Sequence, residues 1–103
     1  MRIDQLIAAA IIAATEKSLA LVKRSDIAAV AGVTESLVTY YLGDPTQYRT
    51  VIAREAVARR VMPIVAELVA MPAHVRPDVE ISDELIALSA EWMRAGGRYA
   101  AVE

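Results

Sequence analysis

The sequence predicts an all-α protein. Three observations carry this. Apolar residues recur at three- and four-residue steps, helix-start and helix-stop signals punctuate the chain at short intervals, and no stretch alternates with period two long enough to form a strand. The 103 residues fit one compact unit, near the lower size at which a core forms without staples. A working division is an N-terminal part, 1–57, and a short helical C-terminal part, 58–103.

The first segment sets Ile3, Leu6, Ile7, Ala10, Ile11 and Ala14 on one helical face and is expected to end near Leu19. After Lys23-Arg24, Ser25-Asp26 reads as the cap and first acid of a brief second helix ending at Ala31, which Gly32 stops. Thr34 caps a third helix through about Leu42, and Gly43 ends it. Asp44-Pro45-Thr46-Gln47 combines an N-cap acid, a proline at the first helical position and a glutamine that closes a capping box. The helix that follows carries Tyr48, Val51, Ile52, Ala56 and Val57 and is expected to kink or break at Pro63. Pro72 to Asp78 reads as a loop. Ser82-Asp83-Glu84 opens a last helix with Leu85, Leu88, Ser89 and Trp92 on one side, closed by Gly96-Gly97.

Composition excludes several classes. Without cysteine there is no disulfide framework and no thiolate metal site, and the lone His74 excludes a multi-histidine site within one chain. The longest apolar run, Leu6 to Ala14, is nine residues, too short for a membrane span. The N-terminus lacks the layout of a signal peptide, so a cytoplasmic location is expected. No nucleophile–base pair, phosphate-cradling glycine loop or carboxylate dyad stands out, and the chain reads as a non-enzyme without cofactor or metal. Net charge is −2 but is unevenly spread: residues 1–60 hold eight Lys/Arg against six acids, whereas residues 61–103 hold three against seven. Only the first part favours a polyanion.

The informative constellation centres on Gly32. Ala28 lies four residues before it, where two helices approach most closely; Ile27, Ala31, Val33, Val38 and Tyr41 are spaced to face inward. This is the spacing of a helix-turn-helix, in which the second helix enters the DNA major groove. Thr34, Glu35, Ser36, Thr39 and Tyr40 are left facing outward, toward base edges or phosphates. Lys23, Arg24 and Ser25 precede or open the second helix at a place suited to phosphate contact. Gln47, with the open amides at the start of the fourth helix, and Arg49 are further phosphate candidates.

Residues 3 to about 57, including "LIAAAIIAATEKSLALVKRSDIAAVAGVTESLVTYYLGDPTQYRTVI", resemble the N-terminal domain of TetR-type transcriptional regulators. The combination of "DIAAVAGV" with "TYYLGD" carries the likeness, which covers about half the chain. It implies a three-helix DNA-binding domain with a helix-turn-helix, acting on double-stranded DNA. The chain departs from the family pattern at Pro45, where a phosphate-binding lysine is usual, at Glu35, often Lys or Arg, at Thr39, often tyrosine, and at Leu42, commonly phenylalanine. It departs also in length. Only about 40 residues follow Pro63, too few to enclose a cavity of ~300 Å3, so no small-molecule effector is expected. Trp92, Met93, Leu85, Leu88 and Val61 to Val69 are instead expected to form a small core or a homodimer face. The alternative reading is a protein-binding adaptor, or a phage-type assembly or regulatory protein, that uses the same scaffold for protein contacts.

Overall fold

The computed structural model describes residues 2–100. Among these there are six helices and no strand: α1 Ile3–Lys17, α2 Arg24–Ala31, α3 Glu35–Leu42, α4 Pro45–Ala58, α5 Met62–Ala70 and α6 Asp83–Arg94. The all-α class follows directly.

α1 is the central helix. It packs against α2, α4 and α5, and so buries more of its circumference than one amphipathic face. Leu6, Ala10, Ala13 and Ala14 are fully enclosed, and Ala9 joins them. The alanines permit this, since a helix approached from several sides needs short side chains where its neighbours press closest. Ile3, expected on the inner face, is exposed at the helix start, and Ile12 is exposed on the outer side. α1 ends at Lys17, two residues earlier than its pattern suggested. Ser18 takes φ 94°, which breaks the helical path and turns Leu19 and Val22 into the core.

α2 starts one residue earlier than Ser25 predicted. Lys23 is the N-cap residue, and the Asp26 carboxylate accepts from its amide at 2.9 Å. Ser25 lies inside the helix and is exposed. Gly32 ends the helix in the left-handed region, φ 70° and ψ 35°, and its amide and that of Val33 both donate to the Ala28 carbonyl. Thr34 then caps α3, its hydroxyl accepting from Leu37 at 3.2 Å. Ile27, Ala28 and Val38 are buried, and Ala31 and Val33 are half-buried. Tyr41, expected inward, is 39% exposed. Leu42 takes the inward place, because it lies four residues after Val38 and so falls on the same helical stripe.

Of the kink or break expected at Pro63 the structure has the break, placed just before the proline, so that α4 and α5 are two helices. α4 closes with Arg60 at φ 54°, the Arg60 amide donating to Val57 and the Val61 amide to Ala56. This is a Schellman closure, with an arginine where glycine is usual. Pro63 falls in the first turn of α5, where its missing N–H costs nothing. Arg60→Gly is therefore expected to raise stability by about 1 kcal/mol, since a side chain in the left-handed region is strained. Thermal melts of the two proteins check this.

α5 packs on α1, α4 and α6, and its residues Ile64 to Leu68 are all buried. Ile64 and Leu68 belong to the same cluster of core side chains as Leu6, Ile27, Val38 and Ile52. α6 is capped by Ser82, whose hydroxyl accepts from Leu85 at 3.1 Å, and it packs on α5 through Leu85 and Ser89. It closes through Gly96, φ 101°, with the Gly97 amide donating to Trp92. No described helix is long and apolar enough to cross a membrane.

Candidate nucleic-acid interface

The segment that joins α1 to α2 has its backbone polar groups matched by side chains from three directions. The Glu67 carboxylate, on α5, accepts from the Leu19 amide at 2.8 Å and the Ala20 amide at 3.0 Å. The Ser18 hydroxyl accepts from Leu21 at 3.1 Å. On α4, the Tyr48 hydroxyl donates to the Val22 carbonyl at 2.8 Å. Arg49 donates through Nε to Leu19 and through Nη2 to Val22, both at 3.1 Å. The guanidinium also lies 5.3 Å from the Tyr48 ring centre. The turn is thus held between a carboxylate that takes its amides and a guanidinium that takes its carbonyls. Lys23 and Arg24 follow immediately.

Five of the expected site residues line one groove. Lys23, Arg24, Ser25, Glu35, Pro45, Tyr48 and Arg49 line an open depression of about 440 Å3 between the starts of α2, α3 and α4. Three cations and one carboxylate border it. Ser36 is exposed on the same first turn of α3 as Glu35. A phosphate approaching there meets three cations and a hydroxyl donor, opposed by Glu35 and by the Asp44 carboxylate at the start of α4.

Thr34, Glu35, Ser36, Thr39 and Tyr40 are all exposed, as their spacing predicted. Two are already engaged within the chain. Thr34 Oγ1 caps α3, and Thr39 Oγ1 donates to the Glu35 carbonyl at 3.2 Å. Tyr40 is 77% exposed and meets Tyr41 edge to face, ring centres 5.0 Å apart.

Gln47 closes the capping box of α4. Its Oε1 accepts from the Asp44 amide and its own amide donates to Asp44 Oδ1, both at 2.9 Å. The start of α4 therefore holds a carboxylate where a phosphate was expected, and its negative charge repels a second anion. Arg49 is corrected in part. Two of its donors are fixed to Leu19 and Val22, and only the remainder of the guanidinium faces the groove. The outer cations of α4 pair with acids: Arg59 with Glu55 at 3.3 Å, and Arg54 with Asp78 at 3.6 Å. Arg60 reaches Glu84 at 3.2 Å.

Sequence reasoning missed Glu67 and the anchoring role of Tyr48. Glu67 is 4% exposed, and burial raises its carboxyl above the ordinary value, partly opposed by the two amides it accepts from. The folded state therefore binds this proton more tightly than the unfolded chain. The stability it confers is fullest below the unfolded value, about 4.3, and declines as pH rises through the folded one. The stability difference between the wild type and Glu67→Gln should shrink as pH rises above the ordinary glutamate value. Urea melts at increasing pH check the sign. The one available signal was a lone acid inside the apolar run Met62 to Ala70.

His74 is exposed in its loop, and among the described residues no group of three potential ligands is placed to hold a metal ion. No family model matches the chain, and neither curated proteins nor solved structures yield a match.

Proposed function

We propose that the chain is a small DNA-binding transcriptional regulator that docks α3 into the major groove of duplex DNA. In this reading α2 and α3 form a TetR-like helix-turn-helix. The observation that carries it is the groove bordered by Lys23, Arg24 and Arg49, adjoining the exposed Ser36, Thr39 and Tyr40 face of α3. Cations beside an uncovered polar helix face match the division of labour on DNA, where phosphate contacts position and base contacts specify.

Lys23 and the outer edge of Arg24 would take phosphates, and Arg49 would add one donor from within the groove. Ser36 and Tyr40 would meet base edges or the flanking backbone. Glu35 would accept from a cytosine amino group, so it favours a C·G pair at its position and disfavours non-specific contact. A half-site this small calls for a second copy on a two-fold related half-site. α6 supplies a suitable face: Ile86 and Met93 are 38% and 36% exposed, with the exposed Ala90 between them.

Titration of duplex DNA across a salt series tests the proposal. Lys23→Ala is expected to weaken binding to all sequences alike and to reduce the salt slope by about one. Ser36→Ala is expected to leave the slope unchanged and to alter which sequences are preferred. Binding that is absent even at low salt would favour the adaptor reading, in which the exposed Tyr40–Tyr41 pair contacts a protein.

A further inference from the structure

We propose that Glu67 is a positioning residue for phosphate binding: from α5, its buried carboxylate fixes the α1–α2 turn and so sets where Lys23 and Arg24 stand. This inference rests on the DNA-binding reading above.

The turn between Lys17 and Arg24 has little repetitive hydrogen bonding of its own. Only the Val22 amide closes onto a turn carbonyl, that of Ser18, at 3.0 Å. Every other anchor named above comes from a side chain. Two of the four donors between Leu19 and Val22 go to Glu67, and no other side chain accepts from Leu19 or Ala20. The Leu19 amide is buried, and Glu67 is its only side-chain acceptor among the described residues. Arg49 and Tyr48 hold the carbonyl side of the same turn, but they pull from α4. Without Glu67 the turn keeps the Ser18 closure and the α4 donors, but the Leu19 and Ala20 amides lose their acceptor. The element that carries Glu67 lies in the C-terminal half of the chain, whereas the cations it places lie in the N-terminal half. The shorter C-terminal part thereby takes part in DNA binding without touching DNA.

Chemistry makes the glutamate specific. Both oxygens accept, and both partners are donors. A glutamine offers one acceptor and one NH2 group, so one backbone amide then faces a donor and the turn shifts. Each phosphate that a duplex-bound protein ceases to neutralise lowers the salt slope by about 0.9 and weakens binding about tenfold near 0.1 M salt.

The experiment compares the wild-type chain, Glu67→Gln, Glu67→Ala and Leu85→Ala by duplex titration over a salt series, with circular dichroism to confirm folding. Leu85 is buried on α6, makes no hydrogen bond to the turn, and serves as a control for general destabilisation. Glu67→Gln is expected to bind about tenfold more weakly at 0.1 M salt with a slope reduced by about one, and Leu85→Ala to keep the wild-type slope. Should Glu67→Ala fail to fold, Glu67→Gln alone decides. A wild-type slope in folded Glu67→Gln, or the same slope reduction in Leu85→Ala, overturns the positioning role while leaving the DNA reading intact. A wild type that binds no duplex at low salt overturns the reading itself, and the inference with it.

Discussion

Tyr48→Ala is expected to destabilise the fold by about 3–5 kcal/mol, enough to unfold much of a marginal domain at ambient temperature. Tyr48 is 2% exposed, the largest fully buried side chain, and its ring fills the space between α4 and the α1–α2 turn. Truncation removes that packing and leaves a cavity. It also takes one of two donors from the Val22 carbonyl, leaving Arg49 Nη2. Tyr48→Phe separates the two effects. It keeps the ring and removes the hydrogen bond, so about 1 kcal/mol is expected, offset in part because Arg49 Nη2 donates to the same carbonyl. For a chain of this size, a loss of about 1 kcal/mol lowers the melting temperature by about 4–8 °C. Calorimetry on the three proteins distinguishes a packing role from a purely polar one. Equal losses in Tyr48→Ala and Tyr48→Phe would mean that the hydroxyl, not the ring, holds the turn.

The second large effect concerns binding. Lys23→Glu with Arg24→Glu is expected to abolish duplex binding, with a reduction of at least about a hundredfold at ~0.1 M salt. Two phosphate partners disappear, and two new carboxylates repel the backbone at the same edge of the groove. Fold stability is expected to change little, since Lys23 is exposed and neither residue is paired in an ion bridge among the described residues. A filter-binding or anisotropy titration, with a thermal melt alongside, reads both quantities.

Much of the fold was legible because its signals are local. Thr34, Asp44 with Gln47, and Ser82 each cap the helix they introduce, and Gly32, Gly43 and Gly96 stop helices with positive φ. These devices act within four residues, so a linear reading reaches them. The misreadings arose where a distant partner decided the outcome. Ser18 adopts an unusual conformation because the turn after it must bury Leu19 and Val22. Arg60 ends α4 without glycine, so Pro63 announced a kink or break but not where the helix closes. Tyr41 was expected inward, but Leu42, four residues after Val38, completes the inner stripe.

The candidate site divides in the same way. The exposed residues of α3 follow from helical spacing alone. Glu67, by contrast, lies 48 residues from the amide it caps, and no pattern in the chain links the two. Gln47 and Arg49 were correct as polar groups near the groove, yet their donors and acceptors are largely committed to the fold. A sequence shows which side chains are polar. It does not show whose hydrogen bonds are already made.

In the proposed complex Lys23, Arg24 and the face of α3 form one continuous surface against DNA, with the α6 face left for another copy. Backbone amide chemical shifts, followed during titration with a random duplex at low salt, test this most directly. The largest changes are expected to cluster at Lys23 to Ser25, along Glu35 to Tyr40 and at Arg49, and to fade as salt is raised. Changes confined to α6, or none anywhere at low salt, would contradict it.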